Sequence, residues 1–152
     1  MVAPVDAPDG CTVALHRTYL TRNGRKADVP TVRKLTAAAG PLAGACIPLF
    51  KPAQHCIGIT EGTETALAAY SGSGVPTVAA YCADNLAAWR WPAGVQRLVI
   101  FADADKAGRE AGNKLLVRAV AAGIRAEMLT PTNEGSDWCD VWAARSCAEG
   151  KA

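Results

Sequence analysis

The sequence predicts an α/β domain of about four mostly parallel strands with flanking helices, preceded by a small β-hairpin subdomain. Three observations carry this. From residue 56 onward, short apolar runs alternate with helical stretches, the pattern of a parallel sheet covered by helices. Upstream, Asn23-Gly24 follows a strand-like segment and is a strong short-range hairpin signal. The chain has 152 residues, 50% hydrophobic and 20% charged, which suits one core and excludes intrinsic disorder. With 31 alanines and 6% aromatics, closely packed helices are expected rather than a bulky aromatic interior.

Residues 1–10 are rich in Pro and Asp and read as a loose leader. TVALHRTYL (12–20) has strand composition, and the chain returns from the Asn23-Gly24 turn through Arg25 and Lys26. Gly40, Pro41, Gly44 and Pro48 make 36–48 a loop or a short irregular strand. A boundary near Lys51–Gln54 divides a basic N-terminal hairpin subdomain (1–54) from a parallel-sheet domain (55–145) and a tail (146–152). CIGIT (56–60) is a strand, TETALAAY (63–70) a helix and PTVAAY (76–81) a second strand. NLAAWR (85–90) is a short helix capped by Asp84 or Asn85. RLVIFA (97–102) is the clearest buried strand. Residues 106–122 form the longest helix, with Ala111, Leu115, Leu116, Ala119 and Val120 on its apolar stripe and Gly123 as its C-cap. RAEMLT (125–130) is the fourth strand.

The net charge of +2 does not announce a nucleic-acid binder, but its distribution is uneven. Residues 16–34 hold Arg17, Arg22, Arg25, Lys26, Arg33 and Lys34 against Asp28 alone. Such a cluster can follow a phosphate backbone, or be a solvated hairpin face. The six cysteines include no CxxC pair, so a structural zinc site is not expected. The first ten residues lack a basic start and an apolar run, so free thiols in a cytoplasmic protein are expected. Residues 65–83 are uncharged, but Gly72, Gly74 and Pro76 interrupt them, so no membrane span is expected.

In an open parallel sheet, ligands bind at the carboxyl ends of the strands. There the sequence places Glu61-Gly62, then Asp103 and Asp105, then Asp137 and Asp140 in SDWCDVW. Asp103 and Asp105 are two apart on an extended segment and can address one cation or a pair. Oxygen ligands suit Mg²⁺ or Mn²⁺, and two such ions about 4 Å apart can clamp an in-line displacement at phosphorus. Gly62 and Gly108 each lie at the start of a helix, where free N–H groups favour phosphate. Taken singly, each has a plain alternative: a DxD is commonly a solvated loop or a cap, and Asp137 or Asp84 can cap a helix. Their coincidence favours a metal site, because repelling carboxylates at a strand end need something to offset them.

GITEGTETALAAY (58–70) followed by RLVIFADADKAGREAG (97–112) resembles the TOPRIM domain of bacterial DnaG-type primases, topoisomerases and some nucleases. The stretch 74–111 and the closing SDWCDVW are similar to phage, plasmid and integrative-element primases and primase–helicases. LHRTYLTRNGRKA resembles the hairpin preceding the domain in that group. The resemblance covers roughly residues 15–142. It implies Glu61 as the catalytic acid or base, with Asp103 and Asp105 holding Mg²⁺ or Mn²⁺ and Glu64 and Asp137 as further acidic groups. Glu64 lies three residues after Glu61, a spacing that fits the mobile-element group. Gly62, Gly108, Lys106, Arg109, Arg17, Arg22, Arg25 and Lys26 are the candidates for holding phosphate or nucleic acid.

The expected activity is metal-dependent nucleotidyl transfer: RNA primer synthesis on single-stranded DNA from nucleoside triphosphates. The alternatives are a TOPRIM nuclease using water as nucleophile, and a fragment that only binds metal and nucleic acid. There is no GxxxxGK[ST] and no zinc-ribbon spacing, so a helicase or template-holding domain would belong to other parts of a longer chain. The chain is either a piece of such a primase or a small stand-alone TOPRIM protein.

Overall fold

The computed structural model describes residues 1–149. The N-terminal part is an antiparallel sheet of β1 (Val2–Asp6), β2 (Thr12–Thr18) and β3 (Arg33–Leu35), in that spatial order. The rest is a parallel sheet of β4 (Cys56–Thr60), β5 (Thr77–Ala79), β6 (Arg97–Phe101) and β7 (Arg125–Leu129), ordered β5-β4-β6-β7. Helices α1 (Thr63–Ser73), α2 (Ala83–Ala88) and α3 (Lys106–Ala121) fill its connections, and α4 (Trp138–Glu149) closes the described chain.

The inner parallel strands β4 and β6, and β5, read as apolar runs because both faces are covered, whereas the edge strand β7 alternates exposed and half-buried residues. Leu98, Ile100 and Ala102 pack with Ile57, Ile59, Leu86, Trp89 and Leu115 beneath α2 and α3. The intervening Val99 and Phe101 turn to the other face, towards Ala69 of α1 and Trp138 of α4. Each fully buried Leu or Ile contributes about 1.5–3 kcal/mol. Small residues let the layers close. A Cβ at Gly58 would run into Thr77 Oγ1 and lie 3.0 Å from Phe101 Cε2, and one at Gly112 would lie 2.7 Å from Met128 Sδ.

Residues 45–47 join the two sheets. Cys46 exchanges backbone hydrogen bonds with Asp6 (2.8 and 3.0 Å), and Ile47 does so with Ala79 at the β5 edge (2.7 and 3.2 Å). The inner face of the small sheet, Ala3, Val5 and Ala14, packs with Ile47, Ala66 and Ala79.

Four expectations are corrected. The supposed leader contains β1, because Ala3 and Val5 alternate inward while Val2 and Pro4 face out. Pro4 is tolerated on this edge strand. The strand predicted at 125–130 and the hairpin at 12–26 exist, but β2 pairs in the sheet with β3, and the Asn23-Gly24 turn lies beyond that sheet, closed by the Leu20–Lys26 bridge, by Thr21 N–H to the Arg25 carbonyl (2.7 Å) and by Arg25 N–H to Thr21 Oγ1 (3.1 Å). Helix α2 begins at Ala83 with Cys82 as N-cap, not Asp84 or Asn85. Asn85 is instead buried, accepting from Gly44 N–H at 3.0 Å and donating to the Ala45 and Ala80 carbonyls. The tail expected from 146 is helical to Glu149, and residues 150–152 lie outside the described residues.

Gly123 ends α3 as expected, at φ 78°, with Gly123 N–H bonded to Val120 and Ile124 N–H to Ala119. Among the described residues, Cys11, Cys46, Cys56, Cys82 and Cys139 are free thiols. No described helix is long and apolar enough to cross a membrane.

Candidate metal centre

Strands β4 and β6 are parallel neighbours with Ile59 beside Ile100, so the residues that follow them leave the sheet at one edge. Glu61 follows β4 directly, and Asp103 follows β6 by two residues. From β4 the chain crosses to β5 on one side, then returns to β6 on the other. Helices α1 and α4 contact each other, as do α2 and α3. The edge above β4 and β6 is therefore the switch point at which doubly wound sheets bind their ligands.

The carboxylates there repel one another. Burial pushes the Asp103 carboxyl up to about 6, helped by the charges of Glu61, Asp137 and Asp105 and opposed by Arg33. Asp103 Oδ1 is shielded from solvent and has no hydrogen-bond partner. Burial also raises Glu61, with Asp105 adding to it and Arg33 opposing. A buried, unpartnered carboxylate oxygen among like charges is the environment a hard divalent cation relieves. No three of the described His, Cys, Asp and Glu side chains enclose a metal ion by themselves. Mg²⁺ does not require that, since it binds through one or two carboxylates and completes its shell with water and phosphate.

The other acidic candidates are partly engaged. Asp105 is the N-cap of α3, its Oδ1 accepting from Gly108 N–H at 2.7 Å, which leaves the second oxygen. Asp137 and Asp140 bond each other's backbone N–H reciprocally at the start of α4 (2.9 and 3.1 Å), a capping arrangement. The Asp137 charge nevertheless reaches Asp103. Glu64 accepts from Arg33 Nη2 at 2.9 Å. Burial pushes Glu64 up, but its backbone hydrogen bond and Arg33 outweigh this and hold its carboxyl below the usual range.

The basic and glycine candidates separate. Gly62 is the N-cap of α1 and makes no side-chain cap hydrogen bond; the carboxylate of Glu64, in the first turn, bonds backbone N–H there. Gly108 does something different. Its N–H is taken by Asp105, and a Cβ there would lie 2.8 Å from the Asp103 carbonyl oxygen, so the glycine lets α3 close on the Asp103 loop. Arg109 is held by both oxygens of Glu134 (2.8 and 2.6 Å), and Lys106 is exposed, 3.9 Å from Glu110. Arg22 and Arg25 are exposed on the turn; Lys26 sits where its charge is felt at Glu64 and Cys139. Arg17 projects from the opposite face of β2, paired across the sheet with Lys34.

Arg33 is the residue that site reasoning from sequence missed. Its charge acts on Glu61, Glu64 and Asp103 together. Its only signal was membership of the basic segment, and its 31-residue separation from Glu64 hid the contact.

Residues 56–148 match the Toprim domain family, and residues 1–47 match a domain of unknown function (DUF7146). No curated protein matches the chain. Among solved structures, the fold is similar to a DNA primase domain from Pseudomonas aeruginosa, with TM-score 0.59, 18% identity and 97% of this chain covered. It is also similar to the Aquifex aeolicus primase zinc-binding and RNA polymerase domains, with TM-score 0.63, 16% identity and 99% covered. A third is the primase fragment of the bacteriophage T7 primase-helicase, with TM-score 0.57, 17% identity and 97% covered. The chain spans 48%, 38% and 60% of those three chains respectively. At these identities the likeness shows a shared fold. The family match spans more than half the chain and takes in every one of the strand-end carboxylates, and the chain belongs to the Toprim family.

Proposed function

We propose that the chain carries the metal-dependent centre of a primase-like nucleotidyltransferase, joining ribonucleotides on single-stranded DNA with Mg²⁺ or Mn²⁺. The observation that carries this reading is the shielded, unpartnered Asp103 Oδ1 at the β4–β6 switch point, with Glu61 on the adjacent strand. Asp103 and the free oxygen of Asp105 would hold the cation. When bound, it supplies charge neutralisation at phosphorus. Glu61, its carboxyl pushed above the usual range by burial, is suited to accept the proton of the attacking hydroxyl. Arg33 and the start of α1 offer positive potential to a triphosphate. The Lys26 charge is felt at Glu64, and Lys26 with Arg25 and Arg22 on the same exposed turn suits a nucleic-acid backbone.

The likeness to primase catalytic cores supports this reading, one of them being described as bound to single-stranded DNA. The test is incubation with a single-stranded template, labelled ribonucleotides and Mg²⁺ or Mn²⁺. Short labelled primers are expected, and Asp103→Asn should abolish them. Nicked template in place of primers would replace this reading with the nuclease. Metal and strand binding without any turnover would leave only a binding module.

A further inference from the structure

We infer that the outer face of the N-terminal sheet is a stacking platform for single-stranded nucleic acid, built on Tyr19, with Lys34 and Arg17 for the phosphates. The platform deepens the proposed function and rests on it, since it is how a strand would be held beside that site.

Register divides the basic segment between two faces. Thr18 pairs with Arg33, so Arg33 lies on the inner face, which reaches Glu64. Arg17 pairs with Val2 on one side and with Lys34 on the other, so these three form a row across the outer face. Several side chains on that face meet solvent. Val2 is 62% exposed, Leu15 42% and Tyr19 38%. Leu20 and Val29, beside the turn, are also exposed.

The chemistry of the face is aromatic, aliphatic and cationic together. Lys34 Nζ lies 5.8 Å from the Tyr19 ring centroid. Tyr19 and Lys34 line an open hollow of about 320 Å³ with Val29, Pro30 and Thr31. Arg17 is half-buried, with its Nε shielded and without a hydrogen-bond partner among the described residues. The row Val2–Arg17–Lys34 and the neighbouring pair Pro4–Leu15 carry no carboxylate. A polyanion with flat faces matches all three features: bases stack on the ring, sugars lie on the aliphatic row, and phosphates meet the two cations. A duplex hides its base faces, so a single strand is the occupant the ring favours.

The test is fluorescence anisotropy of a labelled 20-nucleotide mixed-sequence DNA strand with the full chain, without metal and across a salt series. Tyr19→Ala should weaken binding about tenfold or more, in the range of one lost base stack. Tyr19→Phe should bind like the parent. Lys34→Glu is exposed and tests the face without touching the core; it should lower affinity and flatten the salt slope by about 0.7 for each phosphate it no longer neutralises. Parent-like affinity in folded Tyr19→Ala overturns the platform, as does equal weakening by Tyr19→Phe. Displacement by polyglutamate of equal charge, unaffected by Tyr19→Ala, also overturns it and marks an acidic protein surface as the partner. Primer synthesis by Asp103→Asn, with Tyr19→Ala still weakening the strand, would sink the metal-centre reading and leave the platform standing.

Discussion

Arg33 Nη2 on β3 lies 2.9 Å from Glu64 Oε2 in the first turn of α1, so an ion pair ties the small sheet to the carboxylate edge of the large one. Both side chains are substantially exposed (46% and 32%), so the pair contributes only about 0–1 kcal/mol to stability. Its electrostatic reach matters more, because Arg33 opposes protonation of Glu61, Glu64 and Asp103 at once.

Arg33→Ala should therefore leave the melting temperature within a few degrees of the parent and still impair activity. Without the guanidinium, Asp103 and Glu61 titrate higher. The acid limb of the pH–rate profile should move towards higher pH, and primer synthesis should need more Mg²⁺. An unshifted pH profile would confine Arg33 to tethering the sheets.

Asp103→Asn should abolish activity and stabilise the metal-free protein at pH 7.5. The sign follows from the raised carboxyl. The folded state holds the Asp103 proton more tightly than the unfolded chain, so the contribution of this group to stability is fully present below about pH 4 and is lost as pH rises through about 6. Removing the charge should recover about 1 kcal/mol after allowance for solvent screening. That corresponds to roughly 2–4 °C in melting temperature. A lower melting temperature would make Asp103 a structural residue.

Mg²⁺ should raise the melting temperature of the parent in a concentration-dependent way, by about 2.7 kcal/mol of stability at a hundredfold excess over the dissociation constant. Asp103→Asn should lose that response, and Glu61→Gln should keep most of it while losing about 10²–10⁴ in turnover. Calorimetric scans with and without EDTA separate the two. Equal loss of the Mg²⁺ response in both variants would place Glu61 among the ligands.

Gly108→Ala should damage the centre without removing any of its groups. The new Cβ would lie 2.8 Å from the Asp103 carbonyl oxygen and 3.1 Å from its nitrogen, both backbone atoms that cannot swing aside. A cost of about 1–3 kcal/mol is expected, with Asp103 displaced. Gly112→Ala meets Met128 Sδ, on a flexible side chain, and should cost less. Paired denaturant titrations and Mg²⁺ binding test the contrast.

The Arg22, Arg25, Lys26→Ala variant should bind single-stranded DNA more weakly, with a salt slope shallower by about 0.7 for each phosphate left without its cation. All three side chains are exposed, so folding should be unchanged. Identical slopes would leave the turn a solvated surface.

Strands β4, β5 and β6 were legible in the sequence because both faces of the sheet are buried there. CIGIT and RLVIF have no reading except interior strands, and the helices between them have few ways to cover such a sheet. The strand-end position of Glu61, Asp103 and Asp105 was legible for the same reason, since it follows from where the apolar runs stop. The role of Gly108 was not. In sequence it looks like an anion-binding helix start, and only the approach of α3 to the Asp103 backbone shows that it makes room for packing. Nor was β1 legible, because Pro and Asp mask a strand whose partner, β2, supplies the hydrogen bonds. Contacts between distant segments were decided by the tertiary structure alone. Arg33 and Glu64 are 31 residues apart, and Asp137 is separated from Asp103 by an intervening helix and strand. Apolar periodicity is a local property that each segment carries by itself, whereas the electrostatics of a site sum over every charge the fold brings near. The sequence alone therefore determined the sheet and its edge, and the packed chain determined which charges meet there.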